Sequence, residues 1–133
     1  MTEDIVVPSL KAIILCDMVI TDQVTRKMSA IGMFNEIMAN KFPCRHHQMS
    51  IYCCMTDAFG TYSFDIELIA VETLQVIGKT TIGPFEAPDR LAMGEFAVTL
   101  KNLVFPGPGK YEFRISTGRH FLQSKELQVT PIS

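Results

Sequence analysis

A pattern written twice constrains this chain more than any other feature: Gly60-Thr61-Tyr62-Ser63-Phe64-Asp65-Ile66, and later Gly109-Lys110-Tyr111-Glu112-Phe113-Arg114-Ile115. Each copy is a turn glycine followed by strict apolar/polar alternation, the pattern of a strand that starts at a tight corner and buries one face. Tyr62, Phe64, Ile66 and Leu68 share the inward face, while Ser63, Asp65 and Glu67 share the other. A tyrosine at such a start is a corner device, because its ring goes inward and its hydroxyl is free to satisfy a backbone carbonyl at the turn. Convergence on good strand chemistry explains two such copies as well as duplication does.

The other segments follow the same grammar. Lys11 to Ile20 is a strand apolar on both faces, as a central or interface strand requires. Lys27 to Phe34 gives a second strand that runs on toward Ile37, and Phe42-Pro43 marks the next connection. His47 to Met55, Tyr62 to Val71 and Val76 to Ile82 read as strands three to five. Gly83-Pro84 and Ala87-Pro88-Asp89 form a loop with room for one helical turn near Arg90 to Met93. Glu95 to Leu100, the second motif copy and Phe121 to Val129 complete about eight strands, which describes an all-β sandwich or barrel. The chain of 133 residues is one domain, 1–133, with 1–10 a flexible or edge segment.

A chain of this length buries about two thirds of its unfolded surface without staples, so no metal or cofactor is needed for stability. The net charge is −2 and no Lys/Arg run exceeds Arg26-Lys27, so no counterion-releasing groove for nucleic acid is visible. The opening segment carries Glu3 and Asp4 where a secretory signal needs basic residues, and no stretch approaches a membrane span. A cytoplasmic location is expected, which suits adjacent Cys53 and Cys54, whose side chains diverge in a strand.

The closing run from Leu100 through Phe105-Pro106-Gly107-Pro108-Gly109 to Ile115, with Gly118 and Leu127-Gln128-Val129, resembles the end of a group of uncharacterised bacterial proteins of about this length. The opening, Ile14 to Asp17 leading to Ile31 to Phe34, and the middle, Phe42-Pro43 to Gly60-Thr61-Tyr62, are similar to the same family. The resemblance implies an antiparallel immunoglobulin-like β-sandwich and brings no catalytic residues with it.

Cys44, His46 and His47, with Cys54 downstream, are the group with metal-ligand chemistry. Zinc asks for four converging nitrogen and sulfur ligands, and adjacent histidines in an extended segment diverge, so loop histidines and structural thiols are expected instead. Asp17 interrupts an apolar strand on the face of Ile13, Leu15 and Val19. A carboxylate buried there must be paired, hydrogen-bonded or protonated, and Arg26, Lys27 or a turn amide is the expected partner. Asp65 and Glu67 stand about 7 Å apart along one strand face, near the spacing of inverting glycosidases, but they read as a solvated face. No P-loop, G-x-S-x-G elbow or H-E-x-x-H pattern occurs.

Two functions of different class follow. The first is a non-catalytic interaction or structural module that forms a homo-oligomer, with Ile13, Leu15 and Val19 as interface residues and Met18, Met28, Met33, Met38, Met49 and Met55 adding apolar surface. The second is an enzyme or small-ligand or metal-binding protein with a site at one end of the sandwich, built from the 40–47 and 83–93 loops. They part on whether the second face of the 11–20 strand is covered, and on whether His46 or His47 meets Asp17 in one pocket.

Overall fold

The computed structural model describes residues 5–132. In chain order the strands are β1 (Ser9–Thr21), β2 (Met28–Met33), β3 (Glu36–Ala39), β4 (Cys44–Thr56), β5 (Gly60–Ala70), β6 (Val76–Ala87), β7 (Gly94–Phe105), β8 (Gly109–Thr117) and β9 (His120–Pro131). They form two sheets: sheet A with order β2-β1-β4-β7, and sheet B with order β3-β9-β8-β5-β6. Pairing is antiparallel except between β3 and β9. The run β9-β8-β5-β6 reproduces the G-F-C-C′ order of an immunoglobulin sheet, and β1-β4-β7 reproduces A-B-E, so the sandwich is immunoglobulin-like.

The alternation read from the sequence decides which side chains meet. Phe64, Phe113, Ile115, Leu127 and Val129 from sheet B face Leu15, Met49, Ile51 and Cys53 from sheet A, all 1% exposed or less. The two motif strands β5 and β8 lie side by side, with Ile66 opposite Ile115 and Leu68 opposite Phe113. Both tyrosines act as corner devices. The Tyr111 hydroxyl donates to the carbonyl of Gly107 at 2.6 Å, two residues before Phe113, the place of the tyrosine corner in immunoglobulin strand F. The Tyr62 hydroxyl lies 2.6 Å from the Val6 carbonyl and 2.9 Å from that of Phe59, and it accepts from the Phe59 amide at 2.8 Å. It therefore ties the opening segment to the β4–β5 corner. Residues 1–4 of the expected flexible segment lie outside the described residues, while Ser9 and Leu10 already belong to β1.

Three expectations need correction. There are nine strands in the described residues rather than about eight, because the second strand does not run on through Ile37. The Phe34 amide still bonds Leu15 of β1, whereas the Asn35 carbonyl accepts from Gln128 of β9, so the chain changes sheets within two residues. Gly83 and Pro84 are inside β6, not in a loop; proline is tolerated there because β6 is an edge strand. The segment after Ala87 makes a turn held by the Asp89 carboxylate on the Leu91 amide, with no helix.

Candidate functional site

Strand β4 carries most of the residues with site chemistry, and its length separates them. Cys44 opens it opposite Phe105, whereas Cys54 lies near its far end, opposite Ala12 and Glu95. At about 3.3 Å per residue the two thiols are some 30 Å apart, so a Cys44, His46 and Cys54 site does not assemble. His46 is half-buried with its ring 5.8 Å from that of Phe34, and His47 next to it is exposed. Among the described residues, no three His, Cys, Asp or Glu side chains come together as a metal set.

The 40–47 and 83–93 segments fail to meet for the same reason. Ala87 pairs with Gly60 beyond one end of β4, and Cys44 marks the other end, so the two segments stand at opposite ends of the sandwich. A shared site built from them is excluded by that geometry.

Asp17 and His46 do approach each other. Asp17 is exposed rather than buried, and its carboxylate lies against Gly32 of β2, where a β-carbon would collide with Oδ2. Gly32 has φ +69°, so the position both needs a glycine and leaves room for the acid. Among the described residues Asp17 makes no ion pair with Arg26 or Lys27. Its charge opposes the fall in the His46 pKa, which burial drives downward, and adds to the rise that burial causes at Cys16. Nε2 of His46 is enclosed and has no hydrogen-bond partner. That imidazole is held neutral for want of solvation, with a carboxylate nearby but unbonded.

The surface that stands out is the outer face of sheet A. Register places Cys16 of β1 opposite Met33 of β2 and Met18 opposite Ile31. On the other side of β1, Ile14 lies opposite Tyr52 and Cys16 opposite Ser50. Met18, Ile20, Ile31 and Met33 are 43–68% exposed, so no second layer among the described residues covers them. Ile13 and Leu15, the expected interface residues, belong to the core, and Val19 is half-buried; the solvent face of β1 is the even-numbered one. Met49 and Met55 are core residues, while Met38 is exposed.

Two features of this face escaped sequence reasoning. The Tyr52 hydroxyl donates to Oε2 of Glu95 at 2.5 Å, a charge-assisted bond that, together with burial, raises the phenol pKa. Only the β4–β7 register brings Tyr52 and Glu95 together, and no local pattern announces it. Cys16 is fully buried although it points to the outer face, with Sγ 3.7 Å from the Ser50 carbonyl. Cys53, one step from Cys54 and on the core side, has its thiol pushed up to about 12 by burial and then by its neighbour. None of these thiols is poised as a nucleophile.

The model of a family described as of unknown function, DUF6941, matches residues 11–130. The chain belongs to this family. No match was found among curated proteins. Among solved structures, the C-terminal domain of wzt is similar with a TM-score of 0.56 and 12% identity, over 95% of this chain and 75% of that one, a likeness of fold. An immunoglobulin-like protein from Pseudomonas aeruginosa is 11% identical over 92% of this chain and 95% of that one, with a TM-score of 0.41. A β-glucosidase from Listeria innocua in complex with glucose is 10% identical, over 72% of this chain and 15% of that one, with a TM-score of 0.45.

Proposed function

We propose that this member of the DUF6941 family is a non-catalytic interaction module that self-associates through the outer face of sheet A. The observation that carries the reading is the uncovered apolar strip Met18, Ile20, Ile31 and Met33, set against a charged outer face on sheet B. Four strands at about 4.8 Å spacing and about 3.3 Å per residue give this face on the order of 600 Å² in projection. A stable dimer buries about 800 Å² per partner, so one sheet face and its margins suffice. Two copies related by a two-fold axis would place the same strip against itself, with Tyr52 and Glu95 on the polar margin. A reducing cytoplasm suits the four free thiols, Cys16, Cys44, Cys53 and Cys54.

Native mass spectrometry at micromolar protein tests this. A dimer that dissociates on dilution is the expected result. A strict monomer at every accessible concentration contradicts it.

A further inference from the structure

Sheet A has two edges, and the one opposite β2 is unusual. Strand β7 pairs with β4 and has no neighbour on its other side among the described residues, where a constant-type immunoglobulin sheet has strand D beside strand E. It is twelve residues long and contains no proline. Such an edge offers a row of unpaired backbone donors and acceptors. The other edges are blunted: β3 has four residues, β2 has six, and β6 carries Pro84.

Beside this edge the sandwich is open. A cleft of about 430 Å³ runs between β6 and β7, reaching Ile66, Leu68 and Phe113 at its floor, which are 2% exposed or less. Leu100 and Leu103 both line it. Asn102 stands between them at φ +56°, and there the inward side of β7 passes from even-numbered to odd-numbered residues while its pairing with β4 keeps one register. Gly78 on the facing strand leaves the slot unfilled; a β-carbon there would be 3.6 Å from Cδ2 of Leu103, an ordinary contact. The charged residues lining the cleft are Lys79 and Lys101, and neither is in an ion pair among the described residues.

From this geometry we infer that the β6–β7 cleft accepts an extended segment of a partner protein, added as a strand to the free edge of β7. Its backbone pairs with β7, every second side chain enters the slot, and the intervening ones meet the lysines on the rims. The segment is therefore one in which apolar and acidic residues alternate. The cleft lies on the edge away from β2, so the inference stands whether or not the outer face of sheet A drives self-association.

The test is an NMR titration of the full chain with a capped heptapeptide alternating leucine and glutamate, beside its leucine–lysine counterpart. The expected result is shifts and slowed hydrogen exchange in β7 amides with the acidic peptide, and affinity lower by about tenfold for the basic one. Gly78→Leu fills the slot and weakens binding by about tenfold or more while the melting temperature holds. Lys101→Glu on the rim reverses the preference between the peptides, which decides the matter should Gly78→Leu fail to fold. The inference is overturned by β7 amides that stay silent at millimolar peptide, by equal affinity for both peptides, or by protection of β7 that rises with protein concentration alone. Response to decanoate but to neither peptide also overturns it, in favour of a small amphiphile.

Discussion

Sheet B turns Asp65, Glu67, Glu112 and Arg114 toward solvent, whereas the β1–β2 half of sheet A turns Ile14, Met18, Ile31 and Met33 the same way. The charges of sheet B are knitted together. Glu112 pairs with Arg114 at 3.6 Å, the guanidinium lies 4.9 Å over the Phe121 ring, and the Thr81 hydroxyl donates to Asp65 at 2.6 Å. The inner faces, in contrast, are alike and apolar, and they open at the β6–β7 edge. Folding alone therefore accounts for the apolar inner faces and for the charges of sheet B, and it leaves the apolar strip of sheet A exposed among the described residues. Sheet B also holds both tyrosine corners, and sheet A holds the four thiols and His46.

The largest way to break that contrast is Phe113→Ala, which removes a fully buried ring from sheet B and is expected to cost about 3–5 kcal/mol in urea unfolding. The matching disturbance of sheet A is Met18→Glu with Ile31→Lys, two residues that face each other across β1 and β2, so the new charges pair within one chain. It should leave stability within about 1 kcal/mol and weaken self-association by about a hundredfold. Glu67→Ala with Arg114→Ala on the opposite face should leave association unchanged. The tyrosine corners come next. Tyr62→Phe removes the bond accepted from the Phe59 amide and the one proton shared between the Val6 and Phe59 carbonyls, and is expected to cost about 2 kcal/mol, against about 1 kcal/mol for Tyr111→Phe. Equal costs would mean that the tie to Val6 contributes nothing.

The smallest effect lies in the pH dependence of sheet A. Burial lowers the His46 pKa in the folded chain, so on acidification the unfolded chain takes up that proton first. Stability from this group is fully present above about pH 6.5 and is lost as pH falls from there through the folded value. Chemical unfolding across pH 7 to 5 should show a shallower acid limb in His46→Leu than in the natural sequence. An unchanged limb would assign the effect to carboxylates.

How much of this was legible depends on the range of the interaction. The alternation around Tyr62, Phe64 and Ile66 is a local property, and it placed the motif strands, their inward faces and the corner hydroxyls correctly. The strand at 11–20 was readable as apolar on both sides, but not which side faced out: Ile13 and Leu15 took the core, Met18 and Ile20 took solvent, and Ile14 is half-buried. The handover at Phe34 and Asn35 rests on bonds to Leu15 and Gln128, distant in sequence, so the pattern read as one strand where there are two. The Tyr52–Glu95 pair and the β6–β7 cleft arise from register between strands far apart in the chain. The divergence of the adjacent pairs His46/His47 and Cys53/Cys54 followed from strand geometry alone, whereas the separation of Cys44 and His46 from Cys54 needed the full length of β4.

The central claim is that the outer face of sheet A joins two copies of the chain. Light scattering coupled to size exclusion, run as a dilution series on the natural sequence beside Met18→Glu with Ile31→Lys, tests it most directly. The expected result is a dimer that dissociates on dilution for the first and a folded monomer throughout for the second. Identical masses for both, whether monomer or oligomer, would contradict the claim.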